Sequence, residues 1–492
     1  MNRHYAAFAA LLLLAGRAVA QDPAPTTPAN PPTTATPGVT TPGVTTPGAA
    51  TPGAATPGAF TLKEAVDYAV KNNLNVSNSQ IDIASANDRV NELKATGLPQ
   101  ASLAGGFSHT IKVQPFFAPP GQLFGPPDPS APPAAPTDQE LVFALGGVRF
   151  NSNLTASVSQ LLFSSSYLIG LQAAKSYREL ATKNLNATKI TTAENVTKAY
   201  YNVLVNEERL NLLVANVGRL DSLLRDTRAL NEQGFVEKLD VQRLEVQSNN
   251  LKTERQNVER LQELALVLLK FQMGYPQDQP IELSEKLAKL DFSEAYVTDV
   301  VRPFDYANRI EYSTLQTQRA LQELDVKNVR KSLLPTVSLS GNYGYYNGRM
   351  TIGRFITRPW FPAGTVGLNV NLPLFDGFAR RYKLAQSRST LLKVDNSLNL
   401  LRQSIDLELS QAQIQLRNYW YSLQEQKKNL DLADEILRVT RIKYKEGVGS
   451  NIEVITAETS FREAQTNYYT ALYNAILAKV DLDKATGRLF TE

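Results

Sequence analysis

Residues 164–273 and 377–486 contain no proline. Proline removes an amide donor and clashes with the preceding turn, so proline-free windows of this length permit helices far longer than usual. In each window the pattern predicts a first helix of roughly 70 residues, about 100 Å long at ~1.5 Å per residue. That helix should stop at a glycine, Gly234 or Gly447, and a second long helix should return. Apolar residues recur every seven positions, as Val196, Val203, Leu210, Val217 and Leu224, and again as Leu409, Leu416, Leu423, Leu430, Leu437 and Tyr444. A sustained seven-residue seam implies coiled-coil packing. Polar residues around the rest of the circumference leave each seam narrow. Such helices pack sideways on neighbours and can face water on both sides of a wall.

The two windows are one pattern read twice. Residues 195–274 align without gaps onto 408–487 at a constant offset of 213, which matches Gly234 with Gly447, Val241 with Val454, Glu245 with Glu458 and Gly274 with Gly487. Upstream, Leu98-Pro99-Gln100-Ala101-Ser102-Leu103 recurs as Leu334-Pro335-Thr336-Val337-Ser338-Leu339. Each copy reads helix, strand, loop, strand, very long helix, tight turn, long helix. The first repeat spans 60–274, the second 306–487, and 275–305 connects them.

The strands are read from period-two alternation. Leu103 and Phe107 alternate with Ser102 and Ser108, in a run carried on through Ile111 to Val113. Val148, Phe150, Leu154 and Val158 alternate with Asn151, Asn153 and Ser159. In the second copy Val337, Leu339, Tyr343 and Tyr345 alternate with Ser338, Ser340 and Asn342, and Val366, Leu368 and Val370 with Thr365, Asn369 and Asn371. Strands with one apolar and one small polar face suit a barrel between lipid and water. They equally suit a half-buried sheet of a soluble protein.

Composition excludes several classes. With no cysteine there is no disulfide, thiol nucleophile, zinc-thiolate site or cysteine-linked lipid. Of two histidines, His4 and His109, the first lies in a segment that reads as a secretory signal, residues 1–20, with Arg3, an apolar stretch and Ala18-Val19-Ala20. No catalytic, cofactor or metal constellation is visible, so the chain is not read as an enzyme. Removing Arg3 and Arg17 from 51 basic residues leaves a small excess over 47 acids, which does not point to nucleic acid. No later segment approaches the ~18 apolar residues of a spanning helix, so membrane entry would be as β-strands. Residues 21–59, rich in Thr-Pro-Gly, cannot bury a core and read as a disordered spacer. The proline-rich stretch 115–136 reads as a long outer loop, either a lid or simply exposed.

Four strands cannot close a barrel, because about eight are needed around even a filled interior. An exported chain with four membrane-type strands must pool them between copies. The expected fold is mainly α with β: long antiparallel coiled-coil helices forming a trimeric α-barrel, and a shared transmembrane β-barrel to which each chain gives four strands. The competing reading is a structural or adhesive trimeric surface fibre of coiled coil with a β-barrel anchor. The duplication favours a wall that closes over a single stalk.

At this point the chain resembles the TolC-type outer-membrane efflux proteins. The resemblance covers about residues 60–490. It rests on the opening Phe60-Thr61-Leu62-Lys63-Glu64-Ala65, on Ala199-Tyr200-Tyr201, on Pro373-Leu374-Phe375-Asp376-Gly377, and on Tyr444-Lys445-Glu446-Gly447 followed by Glu453-Val454. It implies a homotrimer in the outer membrane lipid with a large periplasmic extension. That trimer would be the exit duct of a tripartite efflux pump or a type I secretion system, partnered by a periplasmic adaptor protein and an inner-membrane transporter. The resemblance also implies site residues. Asp240 and Tyr444 match a pair that holds the periplasmic tip closed, and Glu453 matches the first of two acids at its constriction, with Thr456 at the second. Gly449 stands where the family has an arginine. The turns at Gly234-Phe235 and Gly447-Val448 match adaptor-docking tips. A plain reading stays open beside each: acids early in a helix favour its dipole, and glycine ends a helix.

Overall fold

The computed structural model describes residues 59–112, 116–118, 141–143, 149–287, 304–349, 352 and 359–489. The signal segment, the Thr-Pro-Gly tract up to residue 58, most of the loop 115–136 and residues 288–303 of the connection lie outside the described residues. The elements are β1 (Ala59–Phe60), α1 (Leu62–Asn72), α2 (Leu74–Ala95), β2 (Gln100–His109), β3 (Phe116–Ala118), β4 (Leu141–Phe143), β5 (Phe150–Phe163), α3 (Ser165–Glu232), α4 (Lys238–Met273) and β6 (Glu282–Leu283). A 3₁₀ turn (Tyr306–Asn308), α5 (Ile310–Lys331), β7 (Thr336–Arg349), β8 (Phe361–Asn371), α6 (Ala379–Lys445) and α7 (Asn451–Ala485) follow.

α3 and α6 run for 68 and 67 residues, in agreement with the proline-free windows. Both begin just after a strand. Ser164 caps α3 by accepting from the Tyr167 amide. Both long helices end in the same two-bond motif. Gly234 and Phe235 donate to the carbonyls of Asn231 and Leu230, and Gly447 and Val448 donate to those of Tyr444 and Lys443. The returning helices end likewise at Gly274 and Gly487. All four glycines have positive φ, at 80°, 69°, 74° and 72° in chain order.

The second pair of glycines carries an additional demand. A Cβ on Gly274 would lie 2.8 Å from the Asn72 carbonyl oxygen, and one on Gly487 would lie 2.6 Å from that of Asn308. At Gly234 and Gly447 a Cβ would meet open space. Gly234→Ala therefore costs only the left-handed penalty of about 1–2 kcal/mol. Gly274→Ala and Gly487→Ala add a backbone clash, for a total of about 3 kcal/mol or more. Thermal unfolding in detergent checks the difference.

These close approaches join each returning helix to the start of its repeat. The Asn73 amide donates to the Gln272 carbonyl at 2.8 Å. At the matching position of the second repeat, Arg309 donates from Nη1 to the Ala485 carbonyl at 3.1 Å. Arg309 is buried, with Nε 3.0 Å from Glu311 and Nη2 2.9 Å from Glu408. Burial opposes its charge, but the two carboxylates outweigh that and raise its pKa above the ordinary value. Replacing Arg309 with Met strands an acceptor at the end of α7 and two carboxylates, and should cost about 3 kcal/mol, read as a lowered melting temperature.

The principal core lies at this level. Tyr200 of α3 is fully buried and donates its hydroxyl to the Phe60 carbonyl at 3.0 Å, among Val196, Val203, Leu269 and Ile476. From there the helices order themselves in two directions. On the strand side α2 packs on α3, α3 on α5, and α5 on α6; on the turn side α4 packs on α3, α3 on α7, and α7 on α6.

The four main strands form an antiparallel sheet in the order β2-β5-β7-β8. β2 ends at His109, earlier than the alternation through Val113 suggests. The register sorts the side chains by face. Leu103 stands opposite Ala156, Ala156 opposite Tyr343, Leu154 opposite Tyr345, Leu339 opposite Leu368 and Val337 opposite Val370. The alternate positions carry Ser102, Ser157, Thr155, Asn342, Ser340, Asn369 and Asn371. Thr365 donates to Asn342 at 2.8 Å and Asn369 donates to Ser340 at 2.8 Å on this polar face. The apolar face is not covered by the chain: Leu103, Tyr343, Val366 and Leu368 are all exposed. Among the described residues, β2 and β8 each have one edge without a partner strand.

Candidate functional site at the helical turns

The sequence-predicted site residues all lie at the turn ends of the two hairpins, α3–α4 and α6–α7. Phe235 and Val448 follow the turn glycines and are 74% and 78% exposed. Asp240 sits in the first turn of α4, its carboxylate 3.6 Å from Arg243. Tyr444 is in the last turn of α6, and its hydroxyl is buried with no hydrogen-bond partner among the described residues. Within one chain, then, Asp240 and Tyr444 do not form the bond that the resemblance suggests. Asp240 joins the second hairpin differently, by accepting at its backbone carbonyl from the Asn451 amide at 3.4 Å.

Glu453 lies in the first turn of α7, its amide held by the Ser450 hydroxyl. Its exposed side chain borders a crevice of about 350 Å³ between α6 and α7, with Ile436, Thr440 and Thr456. The dipole reading and a role in an opening are both compatible with this position.

A second set of residues was not singled out by sequence reasoning. Arg228 of α3 meets Glu245 of α4 at 2.5 Å, and the residues at the same offset, Arg441 of α6 and Glu458 of α7, meet at 2.7 Å. The two ion pairs are one feature duplicated, yet their surroundings differ. Glu245 is well exposed, whereas Glu458 is buried against the first hairpin. There Arg219 of α3 approaches Glu458 at 3.7 Å and lies over the Phe461 ring, 5.5 Å from its centroid. Arg219 also donates to Asn216, whose own amide donates to Gln465 of α7 at 2.9 Å. Farther along, Gln247 of α4 donates to Thr459 of α7 at 3.2 Å.

The hairpins are therefore tied to one another near their turns by polar and charged contacts. Beside this tie, α3 and α6 leave a crevice of about 1200 Å³ bordered by Gly218, Arg219, Phe235, Arg441 and Tyr444. A polar tie can be exchanged for water, so it can part at a cost of a few kcal/mol, which a packed core cannot do. The sequence signal for half of it was present, since Arg228/Glu245 and Arg441/Glu458 repeat at the same spacing. Nothing in the sequence announced that only the second pair would be buried.

Nearer the core, Glu194 of α3 is buried between Lys198 at 2.8 Å and Lys484 of α7 at 2.9 Å. Burial pushes its carboxyl up, but the two ammonium groups outweigh it and hold the carboxyl below the ordinary range. Among the described residues there is no cluster of three or more potential metal ligands, and no helix is long and apolar enough to cross a membrane.

Comparison with known proteins agrees with this architecture. Residues 309–488, the second repeat, match the model of the family described as "Outer membrane efflux protein". Nodulation protein T of Rhizobium leguminosarum bv. trifolii is 22% identical over 429 residues, spanning 84% of this chain and 82% of its own length. Outer membrane protein TolC of Vibrio cholerae is 22% identical over 363 residues, or 72% of this chain and 78% of the relative. The crystal structure of the outer membrane protein VceC, also from Vibrio cholerae, superposes with a TM-score of 0.66 at 15% identity, covering 87% of this chain and 96% of that one. The second repeat thus matches the outer membrane efflux protein family, and the repeated helix–strand order and hairpin geometry give the chain, over 87% of its length, the fold of the outer membrane protein VceC.

Proposed function

We propose that three copies of this chain close into one exit duct. A twelve-stranded β-barrel lies in the outer membrane, and an α-helical barrel extends into the periplasm. The observation that carries this is the single-chain sheet, with an exposed apolar face, a hydroxyl- and amide-rich opposite face, and two open edges. Pairing β8 of one copy with β2 of the next satisfies both edges, puts the apolar face toward lipid and leaves a neutral polar face toward a water-filled lumen.

The helices support the same closure. α6 lies at one side of the chain along its whole length, while α2 and then α4 lie at the other. α6 carries an exposed seven-residue seam of Leu400, Leu407, Ile414 and Tyr421, and α4 carries an exposed seam of Leu261, Leu264, Leu268 and Phe271. The matched ion pairs Arg228–Glu245 and Arg441–Glu458 set the same register in both hairpins. That register brings the α4 seam to the height of Ile414 and Tyr421. Seam-to-seam packing between neighbours buries both.

The turn ends form the periplasmic mouth. Asp240 and Tyr444 belong to the closed mouth, where a small rotation of the hairpins against each other brings the Tyr444 hydroxyl to the Asp240 carboxylate, and the exposed Phe235 and Val448 suit docking by a periplasmic adaptor, which links the duct to an inner-membrane transporter. Three Glu453 carboxylates ring the opening and favour cations. Glu453→Gln should lower the potassium-over-chloride permeability ratio several-fold, measured as a reversal potential across a salt gradient. An unchanged ratio removes Glu453 from the mouth. The trimer is tested by native mass spectrometry in detergent, where a monomer or dimer would overturn it.

A further inference from the structure

The chain builds the passage from strand to long helix twice, in two different ways. In the first repeat Phe163 leads directly to Ser164, which caps α3. In the second, Phe375 is followed by Asp376 and then by two residues in the left-handed region, Gly377 at φ 62° and Phe378 at φ 63°. Phe378 is the only non-glycine residue with positive φ among the described residues. A phenylalanine is unfavourable there because its Cβ crowds the following carbonyl. The helix does not need it. The Asp376 carboxylate accepts from the Arg380 amide at 3.0 Å and caps the start of α6, while Phe378 makes no side-chain cap.

The strained turn instead displays an apolar cluster. Leu374, Phe375 and Phe378 are 84%, 75% and 58% exposed, and the two rings meet edge to face with centroids 5.4 Å apart. Tyr382, one turn into α6, is exposed as well. Arg380, Arg381 and Lys383 follow at once, and none has a carboxylate partner among the described residues. The cluster continues the apolar face of β8, Val366, Leu368 and Val370, at the end nearest the helices. An apolar face that passes into aromatic rings and then into unpaired cations matches the layering of a bilayer leaflet, from acyl chains through the interface to anionic headgroups.

We propose that the turn Leu374–Phe378 is an interfacial anchor, a pair of aromatic rings inserted at the headgroup–acyl boundary of the helix-side leaflet, with Arg380, Arg381 and Lys383 against phospholipid phosphates. This rests on the reading that the sheet spans a membrane. Left-handed Phe378 persists because it aims the ring outward from the wall into lipid, a role that glycine in the same turn could not fill.

Site-directed fluorescence tests it on the full-length trimer. Native Trp360 and Trp420 are first replaced by Phe, and the protein is reconstituted in phosphatidylethanolamine–phosphatidylglycerol vesicles. Single reporters are Phe378→Trp, Phe375→Trp, whose backbone is unstrained, and Val366→Trp in the middle of β8. Lipids brominated near the headgroup should quench both turn reporters about twofold, and lipids brominated near the chain end should quench them much less. Val366→Trp should show the opposite preference. If Val366→Trp is quenched while neither turn reporter is, the anchor is wrong and the rings face water or another copy. If Val366→Trp is itself unquenched, the membrane reading of the sheet fails and the anchor fails with it.

Discussion

Leu407→Glu combined with Ile414→Glu leaves this protein monomeric. Both side chains are more than half exposed in the single chain, so the substitutions remove little from the fold of the protomer. Their expected cost appears on assembly. Burying a Leu or Ile side chain contributes about 1.5–3 kcal/mol, and an unpaired carboxylate placed in a closed seam is worse than neutral by several kcal/mol. In the proposed trimer the seam occurs three times, so the losses multiply around the ring. Native mass spectrometry in mild detergent should show trimer for the parent chain and monomer for the double variant, with unchanged helix content by circular dichroism. Leu432→Glu, also exposed on α6 but outside the seven-residue series, is the control and should leave the trimer intact.

Glu458→Ala opens the mouth, and the equivalent Glu245→Ala does not. The chain supplies its own comparison here, because the two acids occupy the same place in duplicated hairpins. Glu245 forms an exposed pair with Arg228, and such pairs contribute about 0–1 kcal/mol. Glu458 is buried between Arg441 and Arg219. Its removal leaves two guanidinium groups facing each other across the hairpins, at a cost of about 3 kcal/mol. That energy comes off the closed arrangement, which shifts a two-state equilibrium by about a hundredfold. Single-channel conductance in planar bilayers should therefore rise several-fold for Glu458→Ala and stay near the parent value for Glu245→Ala. Equal effects in both variants would mean that the Arg219 tie does not hold the hairpins together.

Much of this was legible in the sequence for a simple reason. Backbone rules act locally, and the chain states them twice. The absence of proline, the glycines at 234, 274, 447 and 487, and the seven-residue seam through Leu409 and Leu416 fix helix length, turn position and packing face with little help from distant residues. Period-two alternation likewise sorted Leu103, Tyr343 and Leu368 from Ser102, Asn342 and Asn369 before any register was known. Where tertiary neighbours decide, the sequence is mute. Leu407 and Ile414 form a second apolar stripe on a helix expected to be polar around most of its circumference. The stripe stands out only once the buried seam beside it has been assigned. Arg219 and Gln465 are ordinary polar residues until α3 and α7 cross. Asp240 and Tyr444, matched by resemblance, are not hydrogen-bonded within the chain, because the Asp240 carboxylate lies beside Arg243 on its own helix, a pairing the resemblance did not carry.

In the proposed assembly this chain builds a conducting wall by closing on two further copies of itself. The most direct measurement is single-channel recording from purified, mass-verified trimer in a planar bilayer. Discrete steps of uniform size, enlarged in Glu458→Ala and made less cation-selective in Glu453→Gln, are the predicted result. A stable trimer that inserts into the bilayer and passes no current, in the parent chain and in Glu458→Ala alike, would contradict the duct.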